Sequence, residues 1–384
     1  MRLLFFLPFL STKGGQERTL VDKANWLVER GHEVFFVTYE NAGSVAYPMD
    51  GRIRYKDIDC RHFTLYRMRL WRRWGAMLAM KRQFRERLSA VISGFRPDLI
   101  VATIPLTEFF LCDLLQEANT VPVVIESHLA RGHEAVVRGF TEKVIDVFYS
   151  PLRAIRRADL LIALTEGDAR LWQSVCPRVC VIPNPVTSYP TSVAHVAKDT
   201  GRIIAVGRLS PQKRFDRLVD AFALIANRQP NWQVDIYCSG QENALRVFEQ
   251  YIGSRNLSDR ISLHHPVDDI YQKYCQSDFL VLSSDFEGFG LVIVEAMACG
   301  IPIVSTDCPF GPSEIIEDGK TGLLAKMDAT DLAEKMEWMI THDEERKQMG
   351  LAAYKAAARY RKEVIMPQWE QAYLSVINKN FANE

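Results

Sequence analysis

The stretch Asp278–Ile316 constrains the chain most. Its first run, DFLVLSS, is short, apolar and bounded by polar residues, the pattern of a buried strand. A loop DFEGFG follows, with glycines at 288 and 290. The next run, LVIVEAMACG, predicts a helix ending at Gly300, a usual residue just past a helix C-terminus. IPIVST then reads as a second buried strand. Strand, glycine loop, helix and strand make one βαβ unit of a parallel sheet, which sets the fold class as α/β.

The chemistry of this unit lies in the loop and first helical turns. The first backbone N–H groups of a helix have no internal partner and carry partial positive charge. Glycines there let an anion approach the backbone closely. Glu287 precedes the helix and Glu295 lies within it. A helix starting near Gly290 places Glu295 roughly 7 Å along the axis, at about 1.5 Å per residue. That is about the reach from a diphosphate to a ribose. Carboxylates on either side of a phosphate core suit a ligand with hydroxyls at both ends, such as a nucleotide sugar. From spacing alone a purely structural reading stands level with this one, since any βαβ unit can carry a glycine loop and two acids.

The run E-G-F-G-L-V-x-x-E-A-M-A-C-G-x-P closely resembles the signature of retaining glycosyltransferases of family 4, which have the two-domain GT-B fold. The resemblance implies two doubly wound Rossmann-like domains facing a cleft, with a C-terminal helix crossing back to the first domain. It also implies roles for individual positions. Gly288, Phe289, Gly290 and Leu291 would line the donor, Glu287 would hold the donor sugar hydroxyls and Glu295 the ribose.

A chain of 384 residues accommodates two domains of ordinary size. Its 48% apolar and 24% charged residues are those of a soluble globular protein, and no apolar run approaches the ~20 residues that span a bilayer. The N-terminal MRLLFFLPFL has the apolarity of a signal peptide. No small-residue cleavage site follows, however, and STKGG reads as a loop after a first strand. The eight cysteines include no C-x2-C pair and no zinc spacing. Cys112, Cys238 and Cys299 fall in apolar runs and read as buried thiols, as expected in a reducing cytoplasm. There are no repeats, low-complexity segments or nucleic-acid motifs. Net charge is zero but uneven: residues 1–190 carry 26 Lys+Arg against 20 Asp+Glu, and the remainder 21 against 27. A basic half suggests contact with something anionic.

The first half opens with a strand at LLFFLPF, the loop STKGGQER, an amphipathic helix near 17–30 and a strand at EVFFVTY. This is a doubly wound opening without the G-x-G-x-x-G of dinucleotide binders. By the resemblance, the Gly14–Gly15 loop faces the donor phosphates. Otherwise it is a tight turn. IRYKDI predicts a further strand. Residues 61–88 then carry nine Lys/Arg and one acid, with Leu70, Trp71, Trp74, Met77 and Leu78 on an apolar side. A basic helix with tryptophans reads as an element for an anionic membrane surface. The solvated basic face of a core helix is an equally common alternative. Buried strands are expected at Asp98–Thr103, Val121–Glu126 and Asp159–Thr165. His128 then lies just past a strand's carboxyl end, where open α/β sheets bind ligands. A family histidine at this place contacts the donor sugar. The usual His-Asp is His-Leu here. Arg131 and His133 receive no role. VCVIPNPV resembles the family's I-P-N-G-V with Pro185 in place of Gly, and the polar segment 187–200 predicts the interdomain linker.

In the second half, RIIAVGRLSPQKRF predicts a strand ending at Gly207 and a helix after Lys213. Arg208 offers planar paired donors and Lys213 a point charge, a suitable set for a diphosphate. G-R-L-S-x-x-K matches the family's phosphate clamp. The strand QVDIYCSG ends at Ser239–Gly240, which could line the nucleotide. The loop His264–Asp268, with Val267, is where the family holds the base. No convincing D-x-D metal motif is seen, which fits the resembled GT-B pattern, and that resemblance implies basic side chains and a helix N-terminus in place of a metal, with no metal and no cofactor expected. Glu314 reads either as a donor-orienting acid or as a helix N-terminal acid. Residues 328–378 predict three helices.

The expected domains are 1–190, 191–360 and a returning helix 361–384. The resemblance implies retaining, metal-independent transfer of a hexose or N-acetylhexosamine from a nucleotide sugar. UDP is favoured by family frequency alone. The expected acceptor is a glycan or a polyprenyl-diphosphate-linked acceptor, and the expected place is the cytoplasm or the inner face of its membrane. Glu287, His128, Arg208 and Lys213 are the expected catalytic set. Same-face attack, with the leaving phosphate taking the acceptor proton, fits the lack of an obvious nucleophile. A nucleotide-sugar epimerase on the same fold and a non-catalytic nucleotide-sugar-binding protein remain as alternatives.

Overall fold

The computed structural model describes residues 1–104, 108–131, 154–186, 188–190 and 200–381. Contacts divide the chain into two compact units, Met1–Pro183 with Glu363–Glu384, and Asn184–Lys362. The chain changes unit seven residues before position 190. Residues 184–186 and 188–190 pack with the second unit because Val186 bridges to Arg361, the Ser188 N–H donates to the Tyr271 hydroxyl at 3.3 Å, and Tyr189 lies against Tyr354.

The first unit holds strands β1 (Arg2–Leu7), β2 (Glu33–Thr38), β3 (Arg54–Asp57), β4 (Leu99–Ile104), β5 (Val123–Ser127), β6 (Leu160–Ala163) and β7 (Val179–Val181). They form one sheet in the order β3-β2-β1-β4-β5-β6-β7. Every pairing is parallel, as in Phe5 opposite Phe36 on one side and Val101 on the other. Strand order reverses between β1 and β4. β1 and β4 are central, so both of their faces are covered, and their sequences RLLFFL and LIVATI are apolar runs rather than alternating ones. The first unit's helices before the second unit, among the described residues, are α1 (Gly15–Glu29), α2 (Leu70–Phe95), α3 (Glu108–Ala118) and α4 (Glu166–Gln173). Phe84 of α2 stacks on Phe110 of α3 at 4.1 Å, and Phe6 and Tyr39 complete that aromatic core.

The basic stretch 61–88 is not one helix. A 3₁₀ turn spans His62–Arg67, and α2 begins at Leu70 and runs on to Phe95. Met77, assigned to the apolar side, is buried in the unit, whereas Trp71, Trp74 and Leu78 are 68%, 54% and 60% exposed along one face. Much of the excess charge is neutralised by acids from elsewhere in the chain. Arg61 pairs with Asp57 and Asp59, Lys81 with Asp113, and Arg85 with Glu117, while Arg82 pairs with the stretch's own Glu86.

The second unit holds β8 (Arg202–Arg208), β9 (Gln233–Ser239), β10 (Ile261–His264), β11 (Phe279–Leu282), β12 (Ile303–Thr306) and β13 (Gly322–Ala325). They are again all parallel, in the order β10-β9-β8-β11-β12-β13. Its helices are α5 (Phe215–Ile225), α6 (Glu242–Ser254), α7 (Ile270–Tyr274), α8 (Leu291–Ala298), α9 (Pro312–Ile315), α10 (Ala329–Thr341) and α11 (Asp343–Ala357). Order reverses between β8 and β11. Both units are therefore doubly wound α/β domains, each with a switch point where ligand sites form. The last helix, α12 (Lys362–Phe381), packs on the first unit through Trp369 and Tyr373, both buried. The Trp369 indole donates to the Pro183 carbonyl at 3.2 Å, and Tyr373 meets Phe5 edge-on.

Candidate functional site

In the second unit, the two loops at the β8/β11 switch point are fastened to each other. The Asp285 N–H donates to the Gln212 carbonyl at 2.9 Å, and the Gln212 amide donates to the Phe286 carbonyl at 2.8 Å. The Ser283 hydroxyl donates to the Lys213 carbonyl at 2.9 Å. Arg214 and Arg217 both pair with Asp285. Arg214 itself adopts a left-handed conformation (φ 47°) to open α5. These bonds fix where Lys213 and Glu287 stand. Lys213 Nζ lies 2.7 Å from Glu287 Oε1, which also accepts from the Ser284 hydroxyl at 2.6 Å. Gly207 closes the arrangement from β8. A Cβ there would meet three carbons of the Lys213 stem at 3.2–3.4 Å, so glycine leaves the room in which the stem lies.

The chain leaving Glu287 is held as firmly. The Glu287 N–H donates to the Pro309 carbonyl at 2.9 Å. A Cβ on Gly311 would stand 2.2 Å from the Phe289 carbonyl oxygen. Gly290 (φ 91°) precedes α8, and no side chain caps that N-terminus. Gly288 and Phe289 are buried in the loop, and Leu291 is the first residue of the helix. Burial pushes the Cys308 thiol up to about 12, and the nearby Glu287 charge adds to this, so Cys308 stays a neutral neighbour. Arg208 ends β8 exposed and makes no ion pair among the described residues.

Glu295, the fifth residue of α8, is buried and accepts a hydrogen bond from the Tyr274 hydroxyl at 3.1 Å. Burial, and then the Glu295 charge, drive the Tyr274 hydroxyl well above its ordinary pKa, so it remains a donor. Sequence reading missed Tyr274. Its signal was a tyrosine one turn before the strand that leads to the glycine loop. Val267 lies in the loop after β10 and is partly buried. Nearby, His264 stacks on Tyr237 at 4.6 Å and bonds to Asp235 at 2.7 Å, a pairing also missed. Glu314 lies in α9 with its side chain exposed.

In the first unit, Gly14 is the N-cap of α1 and Gly15 its first residue. A Cβ on Gly14 would fall 2.2 Å from Glu17 Oε2, so the buried Glu17 carboxylate folds back against this glycine. An anion approaching here meets that carboxylate, which the sequence reading did not take into account. His128 follows β5 as expected. Its N–H donates to the Ile104 carbonyl at 3.3 Å, its Nε2 lies 3.0 Å from Glu126, and its side chain is 3% exposed. Asp168 fastens the same loop by accepting from the Ser127 hydroxyl at 3.0 Å, the Arg131 N–H at 2.7 Å and the Trp172 indole at 3.0 Å. Arg131 is thus a loop anchor, and His133 lies outside the described residues. Among the described residues no cluster of three or more His, Cys, Asp or Glu side chains could hold a metal, and no helix is long and apolar enough to cross a membrane. None of the eight cysteines, all of them among the described residues, is in a disulfide.

Two family models account for most of the chain. Residues 14–185 match the glycosyl transferase 4-like domain, and residues 192–356 match the glycosyl transferases group 1 family. The chain belongs to the family 4 glycosyltransferases of the GT-B class. It is 24% identical over 379 residues to the amylovoran biosynthesis glycosyltransferase AmsD of Erwinia amylovora, covering 96% of this chain and 98% of the relative. It is 27% identical over 409 residues to an exopolysaccharide phosphotransferase of Streptomyces coelicolor, covering 99% of this chain but 41% of that protein. Its fold is similar to that of Anabaena HepE solved with UDP and glucose, with a TM-score of 0.73, 21% identity, and 98% and 100% of the two chains covered.

Proposed function

We propose that the chain transfers a hexose or N-acetylhexosamine from a UDP-linked donor to a glycan acceptor, with retention and without metal, in the assembly of a cell-surface polysaccharide. The observation that carries this reading is the Lys213–Glu287 pair held at the β8/β11 switch point, beside the uncapped N-terminus of α8. Arg208, Lys213 and that N-terminus supply positive charge for a departing diphosphate, the largest charge change in such a transfer. Glu287 accepts hydrogen bonds from the donor sugar and Glu295 from the ribose. Gly14, Gly15 and His128 keep the roles that the resemblance implies. The leaving phosphate takes the acceptor proton on the face it departs from. AmsD, which this chain matches over nearly its whole length, is named for polysaccharide synthesis, and HepE binds UDP and glucose.

A thermal-shift panel of UDP, GDP, ADP and their sugars, run with EDTA, tests the donor. A selective rise with UDP and one of its sugars is expected. A rise with GDP or ADP alone would displace UDP, and a rise that requires divalent metal would overturn metal independence.

The acceptor reading is a polyprenyl-diphosphate-linked glycan at the inner face of the cytoplasmic membrane. Its support is the exposed face of Trp71, Trp74 and Leu78, with Arg69 and Arg72 exposed beside it. Four of the nine cations of 61–88, Arg61, Lys81, Arg82 and Arg85, are already paired with acids, which leaves aromatic insertion to carry more of the binding than charge does. Co-sedimentation with phosphatidylglycerol vesicles should fall sharply in Trp71→Ser/Trp74→Ser and only modestly with added salt. Equal binding by the double variant would remove this surface from the reading.

A further inference from the structure

The proposed reaction uses His128 but leaves unexplained the group beneath it. Glu126 is the fourth residue of β5, and its side chain is fully buried. Side chains from two helices and from the loop after β5 converge on it. Lys23 of α1 lies 2.7 Å from Oε1, Tyr373 of α12 donates its hydroxyl to the same oxygen, and His128 Nε2 lies 3.0 Å from Oε2. Lys23 is fully buried too, with its ammonium 3.2 Å from the centroid of the Trp369 ring. A charge buried alone is costly, but this pair cancels and its remaining polar atoms find partners. Burial pulls Lys23 down to about 8, against the pull of Glu126. Burial alone would raise the Glu126 carboxyl, yet Lys23 and His128 outweigh it and hold it at about 2.

Near neutral pH Glu126 is therefore a carboxylate, which accepts hydrogen bonds and cannot donate one. It follows that His128 Nε2 is the donor. In a neutral ring the other nitrogen, Nδ1, then carries the lone pair.

We propose that Glu126 is a positioning residue, which locks His128 as the Nε2–H tautomer so that Nδ1 is presented as a hydrogen-bond acceptor for a donor-sugar hydroxyl. The proposal rests on the reading of His128 as a sugar-contacting residue. It explains why a strand end should bury a full ion pair: replacing the pair with apolar residues would fill the space but would leave the ring free to flip or change tautomer. It also ties the histidine to α12, since Tyr373 and the Trp369 ring over Lys23 both come from that helix. Asp168 holds the same loop from its other side through Ser127 and the Arg131 backbone.

The test begins with the full-length, ligand-free protein labelled with ¹⁵N-histidine. His128 is assigned from the signal lost in His128→Gln, and its ring nitrogens are read at pH 7.5 by long-range ¹H–¹⁵N correlation. A protonated Nε2 and an unprotonated Nδ1 are expected. The reverse tautomer, an even mixture or a doubly protonated ring in the wild type would overturn the proposal. The readout itself is made on the wild type, and His128→Gln serves only to assign the signal. In Lys23→Met/Glu126→Gln the charge is gone while the volume is kept, and an amide can face the ring with either its donor or its acceptor. A mixed tautomer signal is expected, with UDP-glucose turnover down roughly 10–100-fold and UDP affinity unchanged, since a small misplacement of a contacting group costs about that much. Glu126→Asp, which keeps the carboxylate, should restore the tautomer. A folded double variant with an unchanged tautomer or unchanged turnover would sink the positioning role. Unchanged turnover in His128→Ala would instead remove His128 from the site and leave the tautomer result standing.

Discussion

Lys213 Nζ and Glu287 Oε1 lie 2.7 Å apart although 74 residues separate them in the chain, and both side chains are largely buried. Each is the other's counter-charge, and the Ser284 hydroxyl completes the carboxylate's partners. A ligand that engages either side chain therefore meets a group already oriented by the other. Orientation in advance is what lets such groups act at a transition state without reorganising.

Glu287→Gln should consequently damage turnover more than stability. The amide can still accept from Ser284, but it loses the charge-assisted bonds, worth about 1.5–3 kcal/mol each. A fall in kcat/KM of roughly 10–100-fold is expected, with the unfolding midpoint in urea nearly unchanged. Lys213→Ala should reduce affinity for the nucleotide diphosphate as well, because it removes a cation from the phosphate position. Wild-type kcat/KM in Glu287→Gln would take Glu287 out of the donor site.

Tyr274 gives a second, gentler handle on the same site. Tyr274→Phe removes one hydrogen bond from the buried Glu295 carboxylate and leaves its volume in place. If Glu295 holds the ribose, the variant should bind UDP about three- to tenfold more weakly, in line with a loss of ~1 kcal/mol. Glu295→Ala should lose more, and calorimetric titration with UDP separates the two. Full UDP affinity in Glu295→Ala would place the ribose elsewhere.

These residues also show what could be read from the sequence and what could not. The βαβ unit at 278–306 was legible because central parallel strands such as FLVL and IVST are buried on both faces and so appear as unbroken apolar runs. Arg208, Lys213, Glu287 and Glu295 were singled out by the resemblance of their motifs to the family's, since spacing alone left a structural reading level with the functional one. Tyr274, Asp168 and Glu126 were not, since each also depends on a partner 21 to 247 residues away, and nothing in the local pattern marks a polar residue that will find such a partner in space. The ion pairs of 61–88 were hidden for the same reason: Asp57, Asp59, Asp113 and Glu117, which pair with Arg61, Lys81 and Arg85, lie outside the stretch.

Two glycines with positive φ should respond very differently to alanine. Gly311 (φ 96°) and Gly319 (φ 75°) both sit where an L side chain is strained. At Gly319 nothing lies within 4 Å of the added carbon, so only the conformational cost of about 1–2 kcal/mol applies. At Gly311 the carbon would land on the Phe289 backbone, so the loop before α8 must also move. Gly311→Ala should therefore cost about 3 kcal/mol or more and weaken nucleotide binding, while Gly319→Ala leaves binding intact. Urea unfolding with UDP titration reads both effects. Equal costs at the two positions would show that the Phe289 contact is easily relieved.

The buried pair Lys23–Glu126 should write itself into the acid stability of the protein. The Glu126 carboxyl is held at about 2 in the native chain against an ordinary value of 4.5. The unfolded chain therefore takes up its proton first as pH falls, and from that point unfolding is favoured. The contribution of this group is fully present above about pH 4.5 and is lost on descent toward pH 2, for a total of up to about 3 kcal/mol. Lys23 acts at the other end of the scale. Its native value of about 8 lies below the ordinary 10.5, so the unfolded chain binds the extra proton between those values, and stability from this group rises with pH across that window. Lys23→Met/Glu126→Gln carries neither charge and should lose both dependences. The difference in unfolding free energy between wild type and this variant, measured in urea from pH 6 down to pH 3, should shift steadily against the wild type. A difference that stays constant over that range would mean that Glu126 is not held ionised by its partners.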